Sequence, residues 1–178
     1  MQKKLLAMYY YFSTGEKLLW CISVLLIVVS FIIFDRGNYL VLAASLIGVT
    51  SLIYDAKGNP AGQVLMVMFS MLYGVISYKF AYYGEMATYL GMTAPMSVFA
   101  LVSWLRNPHN GNKAEVEIAR LKKAEIFNMV VLAVIVTVVF YFILRAFNTS
   151  NLVSSTASVT TSFLAVYMTY KRSTFFAL

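Results

Sequence analysis

The chain alternates between long apolar runs and short polar interruptions. Apolar residues dominate six runs, at residues 18–34, 39–54, 61–83, 86–105, 126–147 and 152–170. Runs of this length approach or reach the ~20 residues that a helix needs to cross a hydrocarbon layer about 30 Å thick. Most of the breaks are short and polar, as at residues 35–38, which is typical of turns. The pattern predicts an all-α polytopic membrane protein with six transmembrane helices.

The runs differ in polarity. Residues 18–34 and 126–147 are almost purely aliphatic and aromatic, which favours helices that pack largely against lipid. The other four carry many Ser, Thr, Tyr and Gly residues. Hydroxyl groups in membrane helices either join neighbouring helices or contact a ligand. We therefore place the substrate-handling chemistry in residues 38–105, with a second such unit beginning after residue 148.

Polar side chains recur at helical spacing in the third and fourth runs. Ser70, Tyr73 and Ser77 lie at i, i+3 and i+7, and Tyr89, Met92, Thr93 and Met96 form a similar face. The alternative is that these hydroxyls only hold helices together, at about 0.6 kcal/mol each. The candidate substrate-binding residues are Ser70, Tyr73, Tyr89, Met92, Thr93 and, from the sixth run, Thr161.

Pro95 interrupts the fourth run. Because proline has no amide hydrogen, the carbonyl group one turn earlier, near Gly91, loses its usual helical partner. Such a break is tolerated in lipid where the freed group finds another partner or lines a cavity. We expect an irregular helix there, and we expect Trp104, near the end of the run, to lie in the aromatic belt of the membrane interface.

Two polar segments carry helix-start signals. Residues 1–17 are short, basic and aromatic, and their Ser13-x-x-Glu16 pattern predicts a capping box that opens the first helix. Residues 106–125 are the one long polar segment. There, Asn112-x-x-Glu115 predicts the start of a surface helix that runs into the fifth span.

Composition agrees with a membrane protein. The chain has 178 residues, of which 61% are hydrophobic and 12% charged, about half the ~25% charge of soluble domains. A net charge of +7 raises the question of a nucleic-acid partner, but basic residues beside membrane helices usually set topology. With a cytoplasmic N-terminus, three basic residues lie outside: Arg36, Lys79 and Arg145. Eleven lie inside: Lys3, Lys4, Lys17, Lys57, Arg106, Lys113, Arg120, Lys122, Lys123, Lys171 and Arg172.

The sequence offers little catalytic chemistry. Asp35, Asp55 and Glu85 fall at predicted turns, and the other acidic residues lie outside the spans. Coupled carriers usually place ionisable groups inside the membrane, so uncoupled transport is favoured. One cysteine, Cys21, and one histidine, His109, form no metal cluster. No nucleophile–base pair or phosphate-binding glycine loop is recognisable, so we expect neither an enzyme nor a cofactor.

A weak internal repeat links the second and sixth runs. An offset of 113 residues brings Ala44 onto Ala157 and Tyr54 onto Tyr167. The predicted organisation is an extra helix at 18–34, a three-helix unit at 38–105, the polar segment at 106–125, a linker helix at 126–147 and an incomplete second unit at 149–178. One linker helix between three-helix units makes the repeats parallel.

Several segments resemble a known family. SLIGVTSLIYDAKGNPAGQ, LYGVISYKFAYYGEMATYLGMTAPMSVFALVSWLRNP and NGNKAEVEIARL are similar to the PnuC-type vitamin transporters, in particular the nicotinamide riboside and nicotinamide mononucleotide uptake group of Gram-positive bacteria. The turn Tyr83-Gly84-Glu85 and the following Pro95-Met96 are the most specific signals. The resemblance implies a 3+1+3 helix fold, likened to the sugar-transporting SWEET proteins, in homotrimers.

The resemblance also implies a function. It predicts facilitated diffusion of a dephosphorylated pyridine nucleoside across a bacterial cell membrane, with a separate kinase trapping it for NAD synthesis. Related branches carry thiamine or riboflavin, and a non-transporting assembly subunit is the remaining alternative. Family members continue with two further helices that include an Asn-Asp motif, so we expect the chain to be truncated at its C-terminus. Tyr89 stands where many members have Asn or Gln.

Overall fold

The computed structural model describes residues 11–149 and 151–173, and six helices account for most of them. In chain order they are α1 (Thr14–Phe34), α2 (Tyr39–Ala56), α3 (Pro60–Lys79), α4 (Tyr83–Arg106), α5 (Lys123–Ala146) and α6 (Leu152–Tyr170). The six predicted helices are therefore confirmed. Most of the interfacial segment expected at 1–17, and residues 174–178 of the incomplete second unit, lie outside the described residues.

Membrane-crossing capacity is not equal among the helices. Within the described residues, α1 to α5 are long and apolar enough to span a bilayer. Helix α6 has 19 residues, but its many Ser and Thr side chains lower its hydropathy, so it is not among these five. The sixth predicted span is confirmed as a helix, while its apolarity falls short of the other five.

Helix ends follow local capping chemistry. The Ser13 hydroxyl accepts a hydrogen bond from the Glu16 amide (3.3 Å), and the Glu16 carboxylate accepts one from the Ser13 amide (2.8 Å). The predicted capping box is thus confirmed. Pro60 opens α3 behind Asn59, whose side chain accepts from the Ala61 amide (2.9 Å). Proline costs nothing there because the first helical amides have no partner within the helix.

Helix α3 ends four residues earlier than the predicted residue 83. Ala81 adopts a left-handed conformation (φ 58°), and the Tyr82 amide donates back to the Ser77 carbonyl (2.8 Å). This is the hydrogen-bond pattern of a Schellman-type helix end, which the left-handed residue makes possible. The apolar aromatic residues that follow Lys79 extend the hydropathy signal beyond the real end of the helix.

The helix expected from residue 115 onwards does not form there. Strands β1 (Pro108–His109) and β2 (Asn112–Val116) pair as an antiparallel hairpin. Asn110 and Gly111 both have positive φ (49° and 78°), as a tight primed turn requires, and Asn-Gly is the strongest short hairpin signal. The helix prediction was wrong because the Asn110-Gly111 dipeptide favours a hairpin more strongly than the Asn112-x-x-Glu115 pattern favours a helix. The helix starts at Lys123 instead.

The hairpin segment joins the two halves of the chain. The Val116 amide donates to the Gly58 carbonyl between α2 and α3 (2.9 Å), and the Ala119 amide donates to the Arg172 carbonyl after α6 (3.0 Å). These bonds place the C-terminal ends of α2, α4 and α6 on the same side of the molecule. We call residues 107–119 the strap.

The main apolar core lies between α4, α5 and α6. Its buried members are Met92, Met129, Ala133, Phe140, Leu144, Val159, Phe163 and Tyr167. Trp104 also packs inward: it is 5% exposed, and its indole N–H donates to the Thr169 carbonyl of α6 (2.8 Å). The expectation that Trp104 lies in an interfacial aromatic belt is therefore wrong, since the ring joins two helices.

Two ion pairs occupy equivalent positions. Glu16, the third residue of α1, pairs with Lys57 just after α2 (3.1 Å), and Glu125, the third residue of α5, pairs with Lys171 just after α6 (2.9 Å). In each case a peripheral apolar helix is tied to the end of the helix that follows it. This equivalence agrees with the predicted match of α2 to α6, while the division into repeat units stays a prediction.

Helices α2 and α3 approach each other closely at Gly62. A Cβ atom at this position would collide with the Asp55 carboxylate and would lie 2.7 Å from the Asp55 amide nitrogen. Backbone cannot move aside as a flexible side chain can. The absence of a side chain at Gly62 is therefore what allows the end of α2 to lie against the start of α3.

Replacing Gly62 with alanine should destabilise the protein. Forcing a methyl group against the Asp55 backbone costs about 1–3 kcal/mol, as overpacking usually does, and thermal unfolding in detergent measures the loss. Gly91→Ala is the matched control, because a Cβ there meets nothing within 4 Å. That variant should change stability by less than about 1 kcal/mol, the helix-propensity difference between the two residues. Equal unfolding temperatures for the two variants would contradict the close approach.

Candidate functional site

A cavity of about 910 Å³ runs along the helices of the bundle. It is lined by residues of α2, α3, α4 and α6, by Leu144 of α5, and by the segments between α3 and α4 and between α5 and α6. Asp55, in the last turn of α2, and Thr169, in the last turn of α6, line one end, which we call the Asp55 end. Glu85, in the first turn of α4, and Thr149 line the other, the Glu85 end. The lining thus extends from one end of the helices to the other.

Three aromatic rings meet in the middle of this cavity. The Tyr73 and Tyr89 ring centroids lie 4.5 Å apart, and Phe69 lies 5.4 Å from Tyr73 and 5.8 Å from Tyr89. All three side chains line the cavity. Aromatic rings in such tilted and edge-on arrangements stabilise one another and offer their faces to a flat or cationic ligand. We call these three residues the aromatic cluster.

An irregular turn in α4 positions part of this cluster. Residues Tyr89–Thr93 form a π-helical turn, closed by a hydrogen bond from the Ala94 amide to the Tyr89 carbonyl. Pro95 follows directly and has no amide hydrogen to continue the α-helical pattern. The predicted break near Gly91 is confirmed. Single π-helical turns inside α-helices are frequent at functional sites, and here Tyr89 and Thr93 both face the cavity.

Helix α6 supplies a hydroxyl-rich wall. Its contribution to the lining includes Ser154, Ser155, Ser158 and Ser162. Together with Thr88 and Thr93 of α4 these residues offer groups that both donate and accept hydrogen bonds. The cavity therefore combines aromatic faces from α3 and α4 with hydroxyl groups from α4 and α6, as binding sites for polar aromatic ligands do.

The lining carries negative charge only. Asp55 and Glu85 line the cavity, and within the described part of the chain no Lys, Arg or His side chain does so. Both carboxylates were expected in turns, whereas they belong to the ends of α2 and α4. Helix α2 runs two residues beyond its predicted end at residue 54, and α4 begins three residues before its predicted start at residue 86. A cavity of negative sign in a chain of net charge +7 favours cationic or neutral ligands.

The predicted site residues divide into two groups. Tyr73, Tyr89 and Thr93 line the cavity. Ser70, Met92 and Thr161 lie outside its lining. Ser70 is fully buried and donates to the Met66 carbonyl of its own helix (2.8 Å), Met92 belongs to the apolar core, and the Thr161 hydroxyl donates to the Ala157 and Ser158 carbonyls (3.2 and 2.9 Å).

Other lining residues were missed by the sequence analysis. Gln63 and Phe69 share α3 with Tyr73, and Ser97 shares α4 with Tyr89. Gln63 lies ten residues and Phe69 four residues before Tyr73, and a helical face drawn from Tyr73 in both directions finds Phe69 at i−4. No comparable spacing signal identifies the α6 serines, because hydroxyl residues cover that helix on all sides.

A family model supports a transport role. The model described as the nicotinamide mononucleotide transporter family matches residues 38–176. The match therefore begins just before α2 and includes every residue of the cavity lining described above.

Individual relatives agree with the family model. The nicotinamide riboside transporter PnuC of Neisseria mucosa is 25% identical over 109 residues, which is 61% of this chain and 41% of that protein. The chain thus spans less than half the length of this relative. The crystal structure of a vitamin B3 transporter PnuC superimposes with a TM-score of 0.74 and 21% identity, over 91% of this chain and 70% of that one. This similarity shows that the two chains share a fold.

Water-soluble reagents should distinguish the cavity wall from the helix interior. In a Cys21→Ala background, which removes the single native thiol, Ser158→Cys should react with a maleimide because Ser158 is exposed in the cavity. Ser70→Cys is the matched control on a fully buried position (0% exposed) and should stay unlabelled until the protein is denatured. Mass spectrometry after timed labelling measures both. Similar labelling rates would contradict the placement of the two side chains.

Proposed function

Since the chain belongs to the nicotinamide mononucleotide transporter family, we propose that it takes up a pyridine nucleoside, nicotinamide riboside or a close relative, by facilitated diffusion. The nucleoside would then feed NAD synthesis. The observation that carries this proposal is the aromatic cluster in a cavity whose only charged side chains, among the described residues, are Asp55 and Glu85.

The chemistry of the ligand matches this lining. Nicotinamide riboside has a flat pyridinium ring that is both aromatic and positively charged. Such a ring stacks on Tyr and Phe faces and gains further from their negative quadrupole. Phe69, Tyr73 and Tyr89 supply these faces, while Thr93 and the α6 serines supply hydrogen-bonding groups for the ribose hydroxyls and the carboxamide. In this proposal Tyr73, Tyr89 and Thr93 contact the substrate.

Charge also favours the riboside over the mononucleotide. The phosphate of nicotinamide mononucleotide carries up to two negative charges at neutral pH. Among the described residues the lining has two carboxylates, which repel a phosphate, and no Lys or Arg to bind it. Phosphate groups are normally bound by such cations or by helix N-termini, and the N-terminus of α4 in this lining carries the negatively charged Glu85 in its first turn. The lining therefore supports uptake of the dephosphorylated form.

The family and fold indicate a transporter rather than an enzyme, and a multi-pass membrane protein. We further propose the plasma membrane of a bacterium with a cytoplasmic N-terminus, since this orientation puts eleven of the fourteen Lys and Arg residues inside. The Asp55 end of the cavity is then the cytoplasmic end. Assembly as a homotrimer belongs to the same proposal and rests on the family resemblance.

Thiamine is the second candidate substrate. Its thiazolium ring is also an aromatic cation, so the aromatic cluster and the two carboxylates suit it as well. Riboflavin is neutral and gains nothing from the carboxylates. A non-transporting assembly subunit would have no use for a cavity of about 910 Å³ with this lining.

Replacing Tyr89 with alanine should weaken nicotinamide riboside binding about tenfold, the effect of losing a cation–π and stacking contact worth ~1–2 kcal/mol. Titration calorimetry with the purified protein measures this. Tyr78→Ala is the matched control: Tyr78 also lies in the membrane-spanning bundle, but it is 63% exposed and outside the cavity lining. That variant should bind as the unmodified protein does. Undiminished affinity in Tyr89→Ala would remove this residue from the site.

A further inference from the structure

A second polar group lies in the cavity, away from the aromatic cluster. The Gln63 side-chain amide donates to the Asp55 carboxylate (2.8 Å), and both residues line the cavity. Ten residues separate Gln63 from Tyr73 in α3, so the two positions are roughly 15 Å apart along the helix axis at a rise of ~1.5 Å per residue. The pair therefore occupies the Asp55 end of the cavity.

The pair is held in place by the backbone around it. Gln63 is 2% exposed, and Gly62 beside it brings α3 directly against the Asp55 backbone. Rigid placement of this kind is what a binding group needs, because its own side chain loses no freedom when a ligand arrives.

Both side chains retain hydrogen-bonding capacity. Their mutual bond uses one carboxylate oxygen and one amide hydrogen, which leaves a second carboxylate oxygen, the amide oxygen and another amide hydrogen. Within residues 11–149 and 151–173, neither side chain has another hydrogen-bonding partner, and neither contributes a buried polar atom without one. Asp55 is half-buried and Gln63 is 2% exposed, so the pair meets the cavity mainly through the free carboxylate oxygen of Asp55.

The charge of Asp55 is not balanced by a neighbouring cation. The nearest basic residue in sequence, Lys57, pairs with Glu16 (3.1 Å). In the described part of the chain Asp55 forms no ion pair of its own, and no basic side chain lines the cavity. A carboxylate in such surroundings attracts a cation strongly, since the protein partly shields it from water.

We infer that Asp55 and Gln63 form a second substrate-binding site at the Asp55 end of the cavity. This site selects substrates that carry a positive charge. This inference rests on the proposed function and extends it to residues beyond the aromatic cluster. A ribose hydroxyl suits the free carboxylate oxygen, a carboxamide suits the Gln63 amide, and the pyridinium charge is stabilised by Asp55. A purely structural pair would hold α2 and α3 together without regard to the charge of the substrate.

Uptake by lipid vesicles containing the full chain tests this selectivity. Two substrates are compared: nicotinamide riboside, whose ring is cationic, and its dihydro form, whose ring is neutral. Asp55→Asn preserves the shape of the pair and removes its charge. We expect the initial uptake rate of the cation to fall about tenfold, as for loss of a charge-assisted contact, and that of the neutral form to change less than about twofold. Asp35→Asn, in the turn before α2 and outside this lining, should change neither rate.

The possible results separate the inference from the proposed function. Equal loss of both uptake rates in Asp55→Asn, with Asp35→Asn unaffected, makes the pair structural and overturns the inference alone. Uptake of neither substrate by the unmodified chain overturns the proposed function and the inference with it. If Asp55→Asn does not fold, as judged by gel filtration, Gln63→Glu decides. It retains the negative charge, so the preference for the cation should persist, and loss of that preference overturns the inference.

Discussion

Hydrogen-bond donors in apolar helices need acceptors, because hydrocarbon offers none, and several buried hydroxyl groups satisfy this constraint within their own helix. Ser51 donates to the Gly48 carbonyl, Ser70 to the Met66 carbonyl and Thr156 to the Leu152 carbonyl, all within 2.8 Å and all within their own helices. Hydroxyl groups that face the cavity can also bind water or a ligand, and of these Thr88, Thr93 and Thr169 still donate to carbonyls of their own helices. Ser51, Ser70 and Thr156 are thus bonded inside their own helices, while Ser154, Ser158 and Ser162 present hydroxyl groups to the cavity.

Close helix contact and the cavity depend on the same positions. Gly62 brings α2 and α3 together at the Asp55 end. At the Glu85 end, Gly84 allows α4 to pack closely against Leu144 and Thr149. A Cβ atom at this position would lie only 2.6 Å from each of these side chains. Between these two contacts the π-helical turn widens α4 where the aromatic cluster meets. Tight packing at both ends therefore surrounds an opening that large side chains only partly fill.

The helices were predictable from hydropathy because lipid demands long apolar segments, and the break at Pro95 was predictable from its missing amide. The site was predictable only in part. Spacing pointed to Tyr73, Tyr89 and Thr93, which line the cavity, but spacing alone does not tell which side of a helix faces its neighbours. Ser70 and Met92 share those spacings and are turned inward, one bonded to its own helix and the other packed in the core.

The strap has a mechanical consequence. Its backbone amides bind the turn after α2 and the turn after α6 at once, through the Gly58 and Arg172 carbonyls. Because the strap is hydrogen-bonded to both turns, a displacement of one turn must either displace the other or break one of the backbone hydrogen bonds. The strap therefore connects the end of α2 next to Asp55 with the end of α6 next to Thr169. Any widening of the cavity at this end would have to displace both turns together or break one of these hydrogen bonds.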